Sequence, residues 1–370
     1  MTQTRAEFIN SSRARQRGTV LIVTLWTITL LTILVTVLAG QNRLSARTAQ
    51  FHQQELVNWA SVVAAMNQAE AEVMLNLMDP PILNPEQQAD NPVNPHYRAY
   101  RGAELQLTWP QAEHIVVRIW DHAGKINLSE LSRGKMRALV EKKLGDEARP
   151  GQIDEMMTAW ADWLDLNAQP GSNGAESEYY GELDQPYMPR NGRMETVEEL
   201  LAIRGFAEVF GDVDLDAAFT LYGDQDLINL NVATVETMQL LPGLDEELID
   251  AIIAWREDNE FVGNGDVAQI VPADRMGELR PWLSSRRTTS HYSIMAYRRQ
   301  TPDNAAGADD AERVAEGEVI VDPTDAATTA YSEIVEISSF TSRPRVLKIN
   351  PYQNIPIRKI VVTAAGATQR

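Results

Sequence analysis

An unbroken apolar run lies near the start of the chain. Residues 19–39 read TVLIVTLWTITLLTILVTVLA and contain no charged residue. At ~1.5 Å of rise per residue, a helix of this length reaches roughly 30 Å, the thickness of the hydrocarbon part of a bilayer. A buried core helix is the alternative, but such helices seldom lack a polar face over this length. The run therefore predicts a transmembrane helix.

Beyond this run the pattern changes to a helical period without losing continuity. Residues 41–79 contain neither proline nor glycine. Apolar side chains recur there at spacings of three to four positions, namely Leu56, Trp59, Val63, Met66, Val73 and Leu77. This spacing predicts an amphipathic helix that leaves the membrane, packs its lower half on the protein's own sheet and ends at Pro80-Pro81. One N-terminal helix is thus expected over residues 19–79.

Strand patterns occur in two separate parts of the chain. The first part has apolar β-formers at 103–109 and 113–120, joined by a short turn that contains proline. Strand patterns return only at 291–297, 331–340, 345–349 and 358–364. We therefore predict an α+β fold in which residues 80–128 and 284–370 form one antiparallel sheet and residues 129–283 form an inserted helical domain. The Ala/Asp-rich residues 301–327 are predicted to form a mobile loop.

The insertion contains a weak internal repeat. TVEELLAIRGF at 196–206 and TVETMQLLPGL at 234–244 each predict a helix, a glycine-containing hairpin and a second helix. This arrangement is similar to the helix-hairpin-helix motif, whose members often bind DNA. A membrane-anchored nucleic-acid receptor is therefore one candidate function.

Charge argues against nucleic acid as a ligand. The formal net charge is −19 with a pI near 4.7, and both repeats are rich in acids. A hairpin surrounded by carboxylates repels phosphate. We therefore expect no nucleic acid among the partners, and we interpret the repeat as structural.

Basic residues precede the apolar run, which favours a cytoplasmic N-terminus. These basic residues are Arg5, Arg13, Arg15 and Arg17, and the only acid among them is Glu7.

Two kinds of proteolytic processing fit this N-terminal segment. The small residues Val37 and Ala39 suit a signal peptidase, which would release a soluble periplasmic product. Alternatively, Arg17-Gly18 directly before the run resembles a prepilin peptidase site, with Thr19 as the new N-terminus.

One loop carries the chemistry of a metal site. The chain has no cysteine, and its five histidines form no zinc-ligand pair. Asp165, Asn167 and Glu176 fall at positions 1, 3 and 12 of an EF-hand-like loop, and Asp162 or Asp184 could add a ligand for Ca²⁺. Pro170 stands where an EF-hand has its glycine, so an acidic surface loop with Asx turns is the alternative. A soluble, calcium-stabilised periplasmic binder is a third candidate function.

Catalytic motifs are lacking. The sequence contains no nucleophile elbow, phosphate-binding loop or dinucleotide fingerprint. With 52 acidic residues, a pair of carboxylates is not informative by itself. We therefore predict that the protein is not an enzyme.

The order of motifs along the whole chain resembles the minor pseudopilin K family of type II secretion systems. The matching features are the arginine-containing leader (residues 1–18), the apolar anchor (residues 19–39) and the segments DHAGKINL, DWLDLNAQPGSNGAESEYY, PYMPRNG, VEELLAIRGF and INLNVATVETMQLLPGL. In pseudopilins the first mature residue is usually Phe or Met and the fifth is usually Glu; here they are Thr19 and Val23. Among pseudopilins, the K subunit commonly lacks that Glu.

The resemblance implies a fold, a location and partners. It implies leader residues 1–18, cleavage between Gly18 and Thr19 by prepilin peptidase, a pilin-like fold with a helical insertion, and Ca²⁺ in that insertion. It places the chain in the inner membrane of a Gram-negative bacterium, with its body in the periplasm. The implied partners are minor pseudopilins I and J, minor pseudopilin H and the major pseudopilin. The implied function is to initiate and cap the pseudopilus.

Overall fold

The structure is a computed structural model. It describes residues 11–77, 99–107, 114–145, 148–284, 289–298, 320–321, 330–338, 343–353 and 359–360. The chain divides into two compact units, residues 1–61 and 62–370.

Helix α1, Ser11–Leu77, begins in the first unit and ends in the second. Its segment Val20–Gln50 is long and apolar enough to cross a membrane. Threonine hydroxyls in this segment donate to backbone carbonyls three or four residues earlier, at Thr24, Thr27, Thr29, Thr32 and Thr36. These bonds satisfy the hydroxyl donors of every threonine between Val20 and Ala39. Such internal bonds fit a helix in lipid, which offers no hydrogen-bond partners of its own.

The part of α1 in the second unit supplies one side of a core. Its buried side chains recur at helical spacing, namely Val62, Ala65, Met66, Ala69 and Val73. The predicted stripe also included Leu56 and Trp59, but these are 68% and 58% exposed. Both belong to the first unit, whereas the buried part of the stripe belongs to the second.

Five antiparallel strands form the sheet of the second unit, in the order β1-β2-β5-β7-β8. They are β1 (Arg101–Glu104), β2 (Ile115–Asp121), β5 (His291–Arg298), β7 (Ala330–Glu336) and β8 (Arg345–Gln353). Apolar side chains of β2, β5 and β7, among them Val117, Ile294 and Val335, form one core with those of α1. The predicted α+β class with an antiparallel sheet is confirmed.

The first strand differs from its prediction. We expected a strand at 103–109, but β1 begins at Arg101 and ends at Glu104. Gly102 has a φ of +82°, and the register with β2 shifts between Arg101 and Glu104. The regular pairing is interrupted at this glycine, which the alternation of side chains does not reveal.

A helical insertion separates β2 from β5 in sequence, although the two strands are paired along their whole length. It contains β3 (Ile126–Asn127), α2 (Arg133–Leu144), α3 (Gln152–Leu164), α4 (Ser177–Gly181), α5 (Glu199–Ala202), α6 (Phe206–Phe210), α7 (Leu215–Ala218), β4 (Phe219–Thr220), α8 (Val235–Leu240), α9 (Glu246–Asp258), α10 (Asn264–Val267) and α11 (Ala273–Leu279). The short strands β3 and β4 pair in parallel. The insertion has its own core, with Met157, Leu200, Phe206 and Phe210 among its fully buried side chains.

Each copy of the internal repeat forms two short helices joined by a glycine in the left-handed conformation. Gly205 joins α5 to α6 with a φ of +83°, and Gly243 lies between α8 and α9 with a φ of +81°. Only glycine adopts this conformation without strain. The assignment to the helix-hairpin-helix class stays a prediction.

Most of the predicted loop at 301–327 lies outside the described residues. Within it, β6 (Ile320–Val321) pairs with β9 (Lys359–Ile360) in a separate antiparallel ladder.

Candidate metal centre

The acidic loop follows directly from α3, and Asp162 in the last turn of this helix organises it. The Asp162 side chain is 4% exposed. Its carboxylate accepts hydrogen bonds from the backbone amides of Gly171, at 3.1 Å, and Ala175, at 2.9 Å. A Cβ at Gly174 would overlap this carboxylate, so the loop can close over Asp162 only with glycine at that position.

Two successive Asx turns shape the first part of the loop. Asp165 Oδ1 accepts from the Asn167 amide at 2.9 Å, and Asn167 Oδ1 accepts from the Gln169 amide at 2.8 Å. Each turn uses one side-chain oxygen of a predicted ligand to fix the backbone two residues later. The alternative interpretation of this segment, an acidic loop with Asx turns, therefore describes this part of the loop correctly.

Glu176 and Asn191 meet on the inner side of the loop. Glu176 precedes α4 and is 3% exposed. The Asn191 side-chain amide donates to the Asn167 carbonyl oxygen at 3.0 Å and to Glu176 Oε2 at 3.4 Å. Two further oxygens here, Glu176 Oε1 and Asn191 Oδ1, are buried and accept no hydrogen bond from the part of the chain that the structure describes.

Negative charge is concentrated around Glu176. Burial is the largest cause that raises the pKa of its carboxyl group, and the neighbouring charges of Asp162 and Asp165 raise this pKa further. The hydrogen bond from Asn191 lowers it. A carboxylate that is buried beside two others is stable in its charged form only when a cation or donors offset the repulsion.

The structure thus brings four of the five predicted ligands into one neighbourhood and leaves one out. Asp162, Asp165, Asn167 and Glu176 are linked by the contacts above. Asp184 is exposed beyond α4 and is not among the charges that affect the pKa of Glu176.

The candidate metal centre combines carboxylate oxygens with amide oxygens and is not a cluster of carboxylates alone. Among the described residues, no group of three or more His, Cys, Asp or Glu side chains could hold a metal ion. The two buried acceptors without a donor nevertheless fit a hard cation, which takes amide and backbone oxygens as well as carboxylates. Sequence reasoning missed Asn191, although it lies in the PYMPRNG segment. Its φ of +48° is one that asparagine adopts more readily than most residues.

The predicted residues of the N-terminal segment lie on α1. Gly18 and Thr19 are within the helix. Val23 is 58% exposed in the first unit. No charged side chain occurs at residues 19–39, so the anchor carries no carboxylate of its own.

A second polar site lies where the insertion leaves the sheet. His122 Nδ1 lies 2.7 Å from Thr220 Oγ1, and Lys125 Nζ donates to the Asp216 carbonyl oxygen at 2.6 Å. Burial lowers the pKa of Lys125 to about 8 although four carboxylates raise it. The DHAGKINL segment thus ties β2 to α7 and β4 through its buried polar side chains.

Comparison with known proteins adds the family. Residues 124–210 match the family described as "Type II secretion system (T2SS), protein K". These residues are similar to the type II secretion protein K domain. They run from the end of the His122–Gly124 turn to the end of α6, and they include every predicted metal ligand.

Two curated relatives carry the same name. Type II secretion system protein K of Pectobacterium carotovorum subsp. carotovorum is 32% identical over 96 residues, which are 26% of this chain and 29% of the relative. The protein K of Dickeya chrysanthemi is 30% identical over 131 residues, or 32% of this chain and 35% of the relative. The matches thus span about a third of the length of each relative.

A solved structure extends the likeness in fold. The crystal structure of the GspK-GspI-GspJ complex from the type 2 secretion system of enterotoxigenic Escherichia coli matches with a TM-score of 0.50. The match covers 82% of this chain and 98% of the other, at 13% identity. It shows a shared fold, and the region similar to protein K is one part of it.

Proposed function

We propose that this chain is the minor pseudopilin that initiates and caps the type II secretion pseudopilus, the filament that exports folded periplasmic proteins across the outer membrane. The observation that carries the proposal is the insertion of a protein K domain between two paired strands of one antiparallel sheet. The proposed role is structural and not enzymatic.

The N-terminal segment supplies the membrane anchor. Val20–Gln50 is apolar, and the arginines before it favour a cytoplasmic start. Prepilin peptidase would cut between Gly18 and Thr19, leaving a single-pass protein in the inner membrane with its body in the periplasm. Mass spectrometry of the membrane-extracted chain tests this step. A mature chain that starts at Gly40 would instead establish cleavage by signal peptidase and exclude a filament subunit.

Val23 supports a position at the filament end. In a pilin-like filament, a glutamate at this place neutralises the N-terminal amine of the subunit above, because an isolated charge is costly in lipid. Val23 offers no such carboxylate. A subunit without it fits only where no other subunit is added above.

The size of the insertion supports the same position. Helices α2 to α11 form a separate core beside the sheet. A head of this size is difficult to repeat in a helical lattice, whereas the tip leaves room for it. The charge and the steric arguments are independent of each other.

The proposed partners are minor pseudopilins I and J, followed by minor pseudopilin H and the major pseudopilin. The proposal is motivated by the similar solved chain, which assembles with GspI and GspJ. Co-purification of this chain with pseudopilins I and J of the same organism tests it. Failure of both to co-purify, with a folded chain, would contradict the proposed tip complex.

Ca²⁺ is the proposed cofactor of the acidic loop. Asp162, Asp165 and Glu176 would supply charge, and the free oxygens of Glu176 and Asn191 would supply further ligands. A divalent cation would offset the repulsion around Glu176 and hold the loop on α3. Asp184 is omitted from this ligand set.

A membrane-anchored nucleic-acid receptor is the alternative function. The paired helices with their left-handed glycines favour it, and the net charge of −19 opposes it. Binding of duplex DNA at low salt, where an electrostatic binder is strongest, would replace the pseudopilin proposal.

A further inference from the structure

Two large apolar side chains project into solvent beside the acidic loop. Leu166 is 90% exposed and Met188 is 67% exposed. Tyr187, next to Met188, is 38% exposed. Single exposed apolar residues are ordinary on protein surfaces, but adjoining ones often mark a binding site. We name Leu166, Tyr187 and Met188 the Leu166–Met188 patch.

The two segments of the patch are fastened to each other. Asn191 donates to the Asn167 carbonyl oxygen at 3.0 Å, directly after Leu166. The Gly192 amide donates to the Trp163 carbonyl oxygen at 3.2 Å. Leu166 and Met188 therefore lie on two neighbouring segments of backbone that are joined by hydrogen bonds.

The backbone that carries each apolar side chain is also restricted. Leu166 is the central residue of the Asx turn between Asp165 and Asn167, so its backbone is fixed. Tyr187 is anchored by its hydroxyl, which donates to the Ala202 carbonyl oxygen at 2.6 Å. Pro186 and Pro189 enclose Tyr187 and Met188 and restrict their backbone. A surface that is fixed before binding loses little conformational entropy when a partner arrives.

The charge around the patch selects the partner. Residues 162–184 contain six acids and no lysine or arginine. Glu178, Glu182 and Asp184 of this stretch are exposed, so their carboxylates are accessible to a cationic partner. Two arginines near this stretch are already paired with acids: Arg190 with Glu195 and Glu199, and Arg204 with Glu155. An anionic membrane surface would be repelled here.

We propose that the Leu166–Met188 patch docks a protein segment that presents bulky apolar side chains flanked by lysine or arginine. The apolar side chains of the partner would cover Leu166 and Met188, and its cations would face Glu178, Glu182 and Asp184. This contact is independent of the proposed place in a filament, because it requires only the folded insertion.

A peptide titration tests the proposal. The full chain is placed in phosphatidylcholine nanodiscs, and the probe is a fluorescein-labelled peptide of sequence Gly-Lys-Leu-Leu-Lys-Gly, with empty nanodiscs as the blank. We expect saturable binding by fluorescence anisotropy. The combined substitution Leu166→Ser and Met188→Ser should weaken it at least tenfold. Val262→Ser removes another exposed apolar side chain, 75% exposed, and should leave binding unchanged.

Two further arms separate charge from apolar contact. A Gly-Glu-Leu-Leu-Glu-Gly probe should bind at least tenfold more weakly, and so should the lysine probe on a chain with Glu178→Gln, Glu182→Gln and Asp184→Asn. The exposure of all substituted side chains preserves folding, which thermal unfolding checks. Equal binding of both probes, no binding of the lysine probe, an unaffected Leu166/Met188 variant, or patch-dependent binding to phosphatidylglycerol vesicles would each overturn the proposal.

Discussion

His122 Nε2 lies 2.7 Å from Ser293 Oγ, although 171 residues of sequence separate them. The first follows β2, where the insertion leaves the sheet, and the second lies on β5, where the chain returns. The other ring nitrogen contacts Thr220 in β4. One buried imidazole therefore joins the sheet to the inserted domain through two hydroxyl groups.

This contact predicts a loss of stability in acid. Burial is the largest cause that lowers the pKa of His122 well below 6.5, and the charges of Lys125 and His291 lower it further. Below pH 6.5 the unfolded chain binds a proton that the folded chain does not, so the free energy of unfolding falls by up to about 1.4 kcal/mol for each pH unit.

Chemical denaturation of the wild type and of His122→Gln from about pH 7.5 to 5.5 measures this effect. The variant should lose less stability than the wild type over this range. His114→Gln, at the edge of β2, is the matched control. If the free energy of unfolding fell equally with pH in His122→Gln and in the wild type, His122 would not be the cause of the loss in acid.

The carboxyl group of Glu333 should make stability depend on pH in the opposite direction. Burial, together with the charge of Glu70 on α1, raises the pKa of Glu333 on β7 to about 7 from 4.5. The folded chain keeps this proton where the unfolded chain has lost it, so stability falls as the pH rises from 4.5 to 7 and stays lower above 7. Glu333→Gln should therefore be more stable than the wild type at pH 8 and should differ less near pH 5. Glu336→Gln on the same strand is the control, and an equal gain from it would refute the role of Glu333.

The two repeat glycines predict unequal costs of substitution. Alanine at either position costs about 1–2 kcal/mol for its left-handed conformation alone. At Gly243 the new Cβ would also lie 2.6 Å from the Arg275 backbone oxygen, whereas at Gly205 it would lie 3.0 Å from the flexible Met156 side chain. Gly243→Ala should thus lower the free energy of unfolding more than Gly205→Ala does. Equal losses in urea denaturation would show that the close approach is absent.

Glu176→Gln separates the proposed cation site from a plain acidic loop. Wild-type melting should shift upward with Ca²⁺, by ~2.7 kcal/mol of stability at a hundred times the dissociation constant. Glu176→Gln should be more stable than the wild type in chelator, because it removes a buried charge, yet gain less from Ca²⁺. Asp184→Asn should respond to Ca²⁺ as the wild type does. Melting that is indifferent to millimolar Ca²⁺ and to chelator would exclude the site.

The sequence predicted those structural elements that are determined by residues close together in the chain. The apolar run at 19–39, the strand pattern at 291–297 and the repeat glycines each depend on residues within one short window, and the structure contains a helix, a strand and two turns at those places. The family resemblance was also readable, because its motifs keep their order along the chain.

Features that depend on distant residues could not be predicted. Asn191 joins Asn167 to Glu176 only because the loop folds back on α3. The influence of Glu70 on Glu333 depends on how α1 is rotated on the sheet, which no periodicity defines. The stripe through Leu56 and Trp59 shows the same limit, since an amphipathic pattern indicates a face and not its partner.

Two variants separate the causes of the proposed end position. Deletion of residues 129–283 together with Val23→Glu removes the wide insertion and supplies the carboxylate that Val23 lacks, so this variant should enter the body of the filament. Val23→Glu alone leaves the insertion in place and should remain at the end. Internal incorporation of Val23→Glu alone would show that the insertion is no steric barrier.

Immunogold labelling of the wild-type chain on overexpressed pseudopili tests the proposed capping function most directly. Gold particles should lie at one end of each filament, because the proposal allows no subunit above one that has Val23 and the insertion between β2 and β5. Gold particles distributed along the sides of the filaments would contradict it.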